Sequence, residues 1–195
     1  MLTESLLRQL DSLYHEGVAH DAGTDVRRER RLNITPDTGR FLYQLVRFGN
    51  ARRILEVGTS NGYSTLWLAA AADDIDGRVI SLDIEADKQT AASAQLAAAG
   101  LDHCVTLFRV DASAWIAAAP DDAFDLLFLD ADRSRYAGDW PHLQRLLRRG
   151  GLIVVDNAIS HAAECAGFLD LVAATPGYVV ETLALGKGEC LILKA

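Results

Sequence analysis

The sequence predicts an α/β fold: a doubly wound, mostly parallel sheet of about seven strands, with an antiparallel edge hairpin and helices on both faces. Two observations carry this. Short apolar runs (Ile54–Val57, Val79–Leu82, Val105–Phe108, Leu126–Leu129 and Leu152–Val155) alternate with stretches long enough to be helices. Near-continuous apolar strands separated by helices imply a parallel sheet covered on both faces. The last two runs, Tyr178–Leu185 and Cys190–Leu193, are instead joined by Gly186-Lys187-Gly188. That tripeptide reads as a hairpin turn, hence the antiparallel edge.

The remaining elements follow in order. Leu2, Leu6, Leu7, Leu10, Leu13 and Tyr14 fall at helical spacing, so the chain opens with an amphipathic helix. Its apolar face needs a partner surface, the rest of the domain or a second subunit, and a homodimer is expected on that ground. Gly17–Arg31 is polar and weakly patterned, a loop or loose helix. Pro36 suits a first helical turn and Gly49-Asn50 a stop, so a helix is expected through Phe48. Further helices are expected over Ser64–Ala72, Glu85–Ala99, Ala112–Ala118, Asp139–Arg148 and about Ala162–Ala174. With no repeat or linker, residues 1–195 read as one domain, an N-terminal helix and loop over 1–31 followed by a core over 32–195.

Composition narrows the function. No run of 18 apolar residues exists and no basic flank precedes a greasy stretch at the start, which argues against a membrane span or secretory signal. Cys104, Cys165 and Cys190 form no CxxC pair and read as buried thiols of a reduced, cytoplasmic protein. A net charge of −8 disfavours nucleic acid and anionic membranes as partners, and Arg27-Arg28-Glu29-Arg30-Arg31 reads as a solvated segment. A small molecule is the expected partner.

Ligands of doubly wound sheets bind beyond the carboxyl ends of the strands. Those ends carry Glu56, Asp83, Asp111, Asp130 and Asp156-Asn157. A single acid there is often only a helix cap, but five along one rim point to a site. The first junction, Ile54 to Ser64, passes from strand through a glycine-containing turn into a helix. Ser60 stands where the middle glycine of GxGxxG makes room for pyrophosphate, and Glu56 precedes the turn, so a ligand bearing an ammonium group suits it better. Asp83, ending the second strand, can accept both hydroxyls of a ribose. Asp130, Asp156 and Asn157 offer three oxygens at the ends of two strands expected to be neighbours. Such a set suits Mg²⁺, with Ca²⁺ or Mn²⁺ as alternatives. The competing reading makes Asp156-Asn157 a turn-forming pair and Asp130 a cap.

Glu56-Val-Gly-Thr-Ser-Asn-Gly-Tyr-Ser, Ile80-Ser-Leu-Asp83-Ile-Glu, Asp111-Ala112 and Phe124-Asp-Leu-Leu-Phe-Leu-Asp130-Ala-Asp resemble successive motifs of the class I S-adenosylmethionine-dependent methyltransferases, in the branch of catechol and caffeoyl-CoA O-methyltransferases. The likeness runs from about Asn33 to Lys194 and implies a Rossmann-like fold. It also implies S-adenosylmethionine as cofactor, with Glu56 and Ser64 at its methionine end and Gly58, Thr59, Ser60, Gly62 and Tyr63 forming the turn around it. Asp83 and Ile84 would meet the ribose, Asp111 and Ala112 the adenine, while Asn33 and Ile34 close over the methyl donor. Asp130 would serve cofactor and cation alike, and the three metal ligands of the branch match Asp130, Asp156 and Asn157.

The implied activity is methyl transfer to the hydroxyl of a small phenol or catechol-like acceptor. A phenol with a pKa near 10 is a weak nucleophile at neutral pH, and a cation lowers that pKa while fixing the oxygen in line with the methyl. One departure touches the mechanism: where the branch has a basic lysine three residues after the first metal aspartate, this chain has Arg133. Arginine cannot take a proton, but it can stabilise a phenolate or grip a carboxylate. A second departure is the Ser160–Thr175 region, which lacks the tryptophan-bearing loop of the plant-type enzymes. Competing functions are a metal-independent methyltransferase acting on another atom, a nicotinamide-binding oxidoreductase, against which Ser60 argues, and a non-catalytic binder.

Other residues receive simpler readings. His15 and His20 are five apart and share no helical face, so they are not a zinc-protease pair. His161 reads as a surface residue with a lesser prospect at the substrate mouth. Trp67 is expected in the core, Trp115 beside the adenine or packed, and Tyr136 and Trp140 around the substrate opening. Ser64 lacks the partners of a hydrolase nucleophile.

Overall fold

Residues 2–195, the Arg27 side chain excepted, are described in the computed structural model. Seven strands, β1 (Arg53–Val57), β2 (Arg78–Asp83), β3 (Val105–Arg109), β4 (Phe124–Leu129), β5 (Leu147–Val155), β6 (Tyr178–Leu183) and β7 (Glu189–Lys194), form one sheet in the order β3-β2-β1-β4-β5-β7-β6. The first five are parallel, and β7 runs antiparallel to both β5 and β6. This is the doubly wound sheet with an antiparallel edge that the alternation of runs implied.

Helices α1 (Glu4–Ala22), α2 (Pro36–Phe48), α3 (Tyr63–Asp73), α4 (Ala86–Ala99), α5 (Ala112–Ala118), α6 (Tyr136–Leu146) and α7 (Ala162–Ala173) cover it. Every residue of β4 is buried, as its unbroken apolar run requires. Almost all of α3 is buried too, because α1, α2 and α4 enclose the sides that the sheet leaves open. Among the described residues no helix is long and apolar enough to cross a membrane, and the three cysteines are free and buried.

Two expectations need correction. The first helix does not loosen at Gly17 but runs on to Ala22. Gly17 is buried within it, and a Cβ there would lie 2.4 Å from Asn33 Nδ2, so its lack of a side chain admits the crossing segment instead of breaking the helix. The apolar face of α1 (Leu6, Leu10, Leu13) packs into the same core as α3. That face is thus covered within the domain, the first of the two partner surfaces expected for it. The other correction concerns α6, which begins three residues early at Tyr136 and gives way to β5 already at Leu147.

Asp125 explains that early strand. At the amino end of β4 its Oδ2 accepts the Arg52 and Arg53 amides (2.9 and 2.8 Å). Its Oδ1 accepts Arg53 Nη2 at 3.0 Å and Arg148 Nε at 2.6 Å. One carboxylate thus ties β1, β4 and β5 together. Burial pushes its carboxyl up, but the bonds from Arg53 and Arg148 prevail and hold it below the usual range. Asp125→Ala leaves two partly buried amides and two half-exposed guanidinium groups without their acceptor and is expected to cost about 2 kcal/mol. A depressed carboxyl pKa stabilises above the unfolded value near 4 and ceases to do so as pH falls through the folded one. Urea melts of both proteins at pH 7 and pH 3 should show a large difference at the first and a small one at the second.

Candidate active site at the carboxyl ends of the strands

Strand order reverses between β1 and β4, the switch point at which such sheets open a crevice. The ladder continues one step past the strands. Gly58 N donates to Leu82 O (2.9 Å), Asp130 N to Val57 O (2.9 Å) and Asp156 N to Leu129 O (3.1 Å). These bonds align the rim acids in a row, yet the acids meet different fates.

Glu56 is fully buried. Its Oε1 accepts Ser64 Oγ at 2.5 Å, and its Oε2 accepts Thr65 Oγ1 at 2.5 Å together with Ser81 Oγ. Burial pushes its carboxyl up to about 7, against the opposing pull of the three hydroxyls. The residue expected to grip the ligand thus sits beneath the turn, and Ser64 is turned inward upon it. Thr59 Oγ1 lies 2.6 Å from Ser81 Oγ and accepts Gln89 Nε2 at 3.1 Å, extending the network to α4.

Above this base the turn is tightly constrained. Gly58 has φ 109°, and a Cβ there would stand 2.2 Å from Asp130 O; Gly62 has φ 87°, with Ala92 Cα 2.9 Å from the same position. No L side chain fits either place. Ser60 adopts φ 47°, donates its amide to Asp83 Oδ2 (2.8 Å) and its hydroxyl to Arg31 O (2.6 Å). Asp83 Oδ1 accepts the Glu85 amide at 2.9 Å, so this acid shapes the turn while staying half-exposed. Ile84 beside it is 61% exposed, an apolar side chain left open at the rim. Asp111 caps α5 through the Ala114 amide (3.0 Å) and pairs with Arg135 at 2.7 Å. For this acid the plain capping role holds. Trp115 stacks between Phe108 and Phe124.

Asp130 and Asp156 face one another. Asn157 Nδ2 lies between them, donating to Asp130 Oδ1 (3.1 Å) and Asp156 Oδ2 (2.6 Å), while Ser160 Oγ donates to Asn157 Oδ1 (3.2 Å). Asp156 Oδ1 is buried and receives no hydrogen bond from an amide or hydroxyl, with the Glu189 carboxyl as the adjacent group. Burial and the neighbouring Asp156 push the Asp130 carboxyl well above the usual range. Unlike Asp111, these acids cap nothing. With the Asn157 amide turned end for end, the three side chains would all offer oxygen, a donor set that fits a hard divalent cation.

Two residues of this neighbourhood escaped the sequence analysis. Glu189 is fully buried; its Oε1 accepts Thr38 Oγ1 at 2.7 Å and its Oε2 receives no hydrogen bond from an amide or hydroxyl. Burial and the adjacent Asp156 push its carboxyl up to about 9. An acid heading the apolar run Cys190–Leu193 was the available signal. Lys187, read only as part of a turn, donates from Nζ to Asn33 O at 3.1 Å.

Arg133 is where the structure departs most from expectation. Its side chain is buried and paired with Glu164 of α7, Nε and Nη2 both 2.9 Å from Oε2. It braces the loop after Asp130, its guanidinium held by Glu164. Tyr136 and Trp140 are likewise core residues and not a substrate border. The Tyr136 hydroxyl accepts the Ala131 amide at 2.7 Å, and both rings pack edge-on against Phe168. Trp67 is buried as expected. Asn33 and Ile34 lie on a strap joining α1 to α2, with Leu32 at φ 53°, Ile34 buried in the core and Asn33 Nδ2 donating to Leu13 O at 3.2 Å. His161 starts α7 with Nδ1 2.9 Å from Ser160 Oγ, and His15 and His20 are exposed on α1. A second cluster of ligand-type residues, Asp73, His103 and Cys104, lies at the opposite end of the sheet. There His103 bonds Asp73 Oδ1 (2.9 Å) and Gly100 O (3.0 Å), and Cys104 Sγ bonds Leu101 O (3.2 Å).

Fold and rim together define a doubly wound α/β protein with a close glycine turn at its strand switch, where such folds bind ligands, and an oxygen-rich acidic corner beside it. The chain belongs to the O-methyltransferase family, whose model matches residues 16–166. It is 36% identical over 138 residues to a catechol O-methyltransferase of Mycobacterium tuberculosis, covering 71% of this chain and 62% of that protein. A catechol O-methyltransferase of Niastella koreensis is 34% identical over 131 residues, 66% of this chain and 59% of its own length. The chain thus spans about three fifths of these curated relatives. The crystal structure of an O-methyltransferase from Bacillus cereus in complex with SAH superposes with a TM-score of 0.78 at 25% identity, covering 96% of this chain and 91% of that one.

The buried carboxylate beneath the turn has a pH signature. Glu56 has a folded pKa of about 7, above the unfolded value near 4.3. Between these values the folded protein retains a proton that the unfolded chain has lost, so stability falls as pH rises through this window. Glu56→Gln removes that proton exchange. Melting both proteins from pH 4.5 to 7.5 should show their stability difference shifting in the variant's favour as pH rises; parallel curves would contradict the assignment.

Proposed function

We propose that the chain is an S-adenosylmethionine-dependent O-methyltransferase acting on the hydroxyl of a small phenol or catechol-like acceptor, with a divalent cation held by Asp130, Asp156 and Asn157. The observation that carries the cation is the pair of facing acids, Asp156 buried and Asp130 half-buried, gathered around one Asn157 side chain. Such a pair is costly to bury unless a positive charge joins it. Mg²⁺ suits three such oxygens, with Ca²⁺ or Mn²⁺ as alternatives.

For the donor, the support is the close backbone turn from Gly58 to Gly62, the half-exposed Asp83 and the open Ile84, together with relatives named for methyl transfer and a similar structure solved with the donor's demethylated product. Glu56 then serves as the support that sets the turn's height, and Asp83 is the acid left to meet a ribose. Ala112 opens α5 behind the capping Asp111, at the end assigned to the adenine. Asp130, one residue beyond β4 and against Gly58, stands between donor turn and cation site. Bound there, the cation lowers the acceptor's pKa. Arg133, committed to Glu164, takes no part in proton removal. The residues' own contribution is alignment: the turn fixes the donor, and the acid corner fixes the acceptor's direction of approach.

The test is a methyl-transfer assay with phenols and catechols on chelator-dialysed protein, with and without Mg²⁺. Dihydroxy acceptors should turn over only with the metal, and Asp156→Ala should lower kcat/KM by about 100-fold or more. Full activity without metal would favour transfer by donor and alignment alone. Donor binding without methylation of any oxygen acceptor would overturn the acceptor class.

A further inference from the structure

The β6–β7 turn is fixed from two sides. Lys187 O accepts the Ser160 and Ile159 amides (2.9 and 3.3 Å), and Gly188 O accepts the Ala158 amide (2.8 Å). These bonds attach it to the residues that follow Asp156-Asn157. On its other flank Gly186 abuts the start of α2, where a Cβ would lie 2.2 Å from Thr38 Oγ1. The main chain therefore places Lys187, and its side chain is free to act. The chain has three lysines. Lys88 lies on α4, and Lys194 binds Gln144 O and Leu147 O at the far end of the sheet. Only Lys187 stands at the crevice.

Its ammonium, half-buried, holds the strap by Asn33 O. The same strap is held at Arg31 O by Ser60 of the donor turn. Two residues apart, these bonds fasten one segment to the β1 side of the crevice and to the β5–β7 side, with β4 and Asp130 between. The turn's bonds to Ala158, Ile159 and Ser160 keep Lys187 on the Asp156-Asn157 side of the crevice, a cation beside the acid pair.

We propose that Lys187 is a positioning residue that couples the strap over the methyl donor to the charge of the Asp130–Asp156 pair. It clamps the strap in place, and its positive charge supplies part of the compensation that a divalent cation would otherwise provide. This rests on the reading of the crevice as a donor and cation site. The two roles have opposite consequences: without the ammonium the strap loosens and donor binding weakens, while the less compensated acid pair attracts a cation more strongly.

The test uses the full chain with Lys187→Gln and Lys187→Arg, titrating S-adenosylhomocysteine by calorimetry and Mn²⁺ by the electron paramagnetic resonance of the free ion. Lys187→Gln should weaken S-adenosylhomocysteine binding about five- to tenfold, the difference between a charge-assisted and a neutral hydrogen bond. It should tighten Mn²⁺ binding by roughly threefold or more, as expected for removing one nearby like charge. Lys187→Arg, which keeps charge and donor, should return both toward wild type. A residue that merely supported the fold would weaken both affinities together, and that result, or no change in either, overturns the proposal. If wild-type protein binds neither probe, the reading of the crevice itself fails and this inference with it.

Discussion

The crevice rests on one buried carboxylate. Glu56 belongs to β1, and its three hydroxyl donors come from β2 and α3, so one group fixes the helix that leaves the turn against the two strands beneath it. Burying a carboxylate is unfavourable unless its oxygens are satisfied. Here they are satisfied by neutral hydroxyls alone, and burial still lifts the pKa to about 7. This leaves a turn held from below by polar bonds and open to a ligand from above. Gly58 then transmits the constraint sideways, because its approach to Asp130 O sets the distance between the β1 turn and the first acid of the opposite corner.

The opposite corner is built on the contrary principle. Asp130, Asp156 and Glu189 share few donors: one amide from Asn157, one hydroxyl from Thr38, and the proton that the raised Glu189 carboxyl offers its neighbour Asp156. Folded chains seldom leave buried acceptors unpaired, and those that do so tend to concentrate them where something else binds. Neither corner alone identifies a methyltransferase. The pairing of a fully satisfied acid under a turn with a less satisfied pair next to it is what the proposed reading, a cationic donor meeting a cation-activated acceptor, draws on.

Much of the frame was legible in the sequence because it depends on local pattern. Strand runs and helix starts such as Pro36 are written within a few residues, and their ends give the rim. What each rim acid does is not local. Asp111 caps its own helix, but its ion pair is with Arg135 far along the chain, while Asp156 finds its acidic neighbours Asp130 and Glu189 across two other strands. Arg133 looked like a substrate contact until Glu164 on a later helix claimed it. Gly17 carried a breaker's signature, yet tertiary packing overrode it, since the strap needs the room that glycine leaves. The early start of β5 follows from Arg148 reaching back to Asp125, a bond between residues of two different strands.

Lys187 and Glu189 were hidden for a topological reason. Read locally, Gly186-Lys187-Gly188 is only a hairpin turn, and a hairpin at the edge of a sheet belongs to no site. The strand order changes its meaning, since β7 inserts between β5 and β6 and runs antiparallel to β5, pairing Val155 with Cys190. One further step along that register brings Asp156 to Glu189, and the turn just beyond reaches the strap. In an all-parallel sheet the start of a seventh strand would lie at the other end, far from the rim. The antiparallel edge is thus part of the site's construction: by reversing one strand, the fold adds a lysine and a buried acid to a corner that parallel strands had already made acidic.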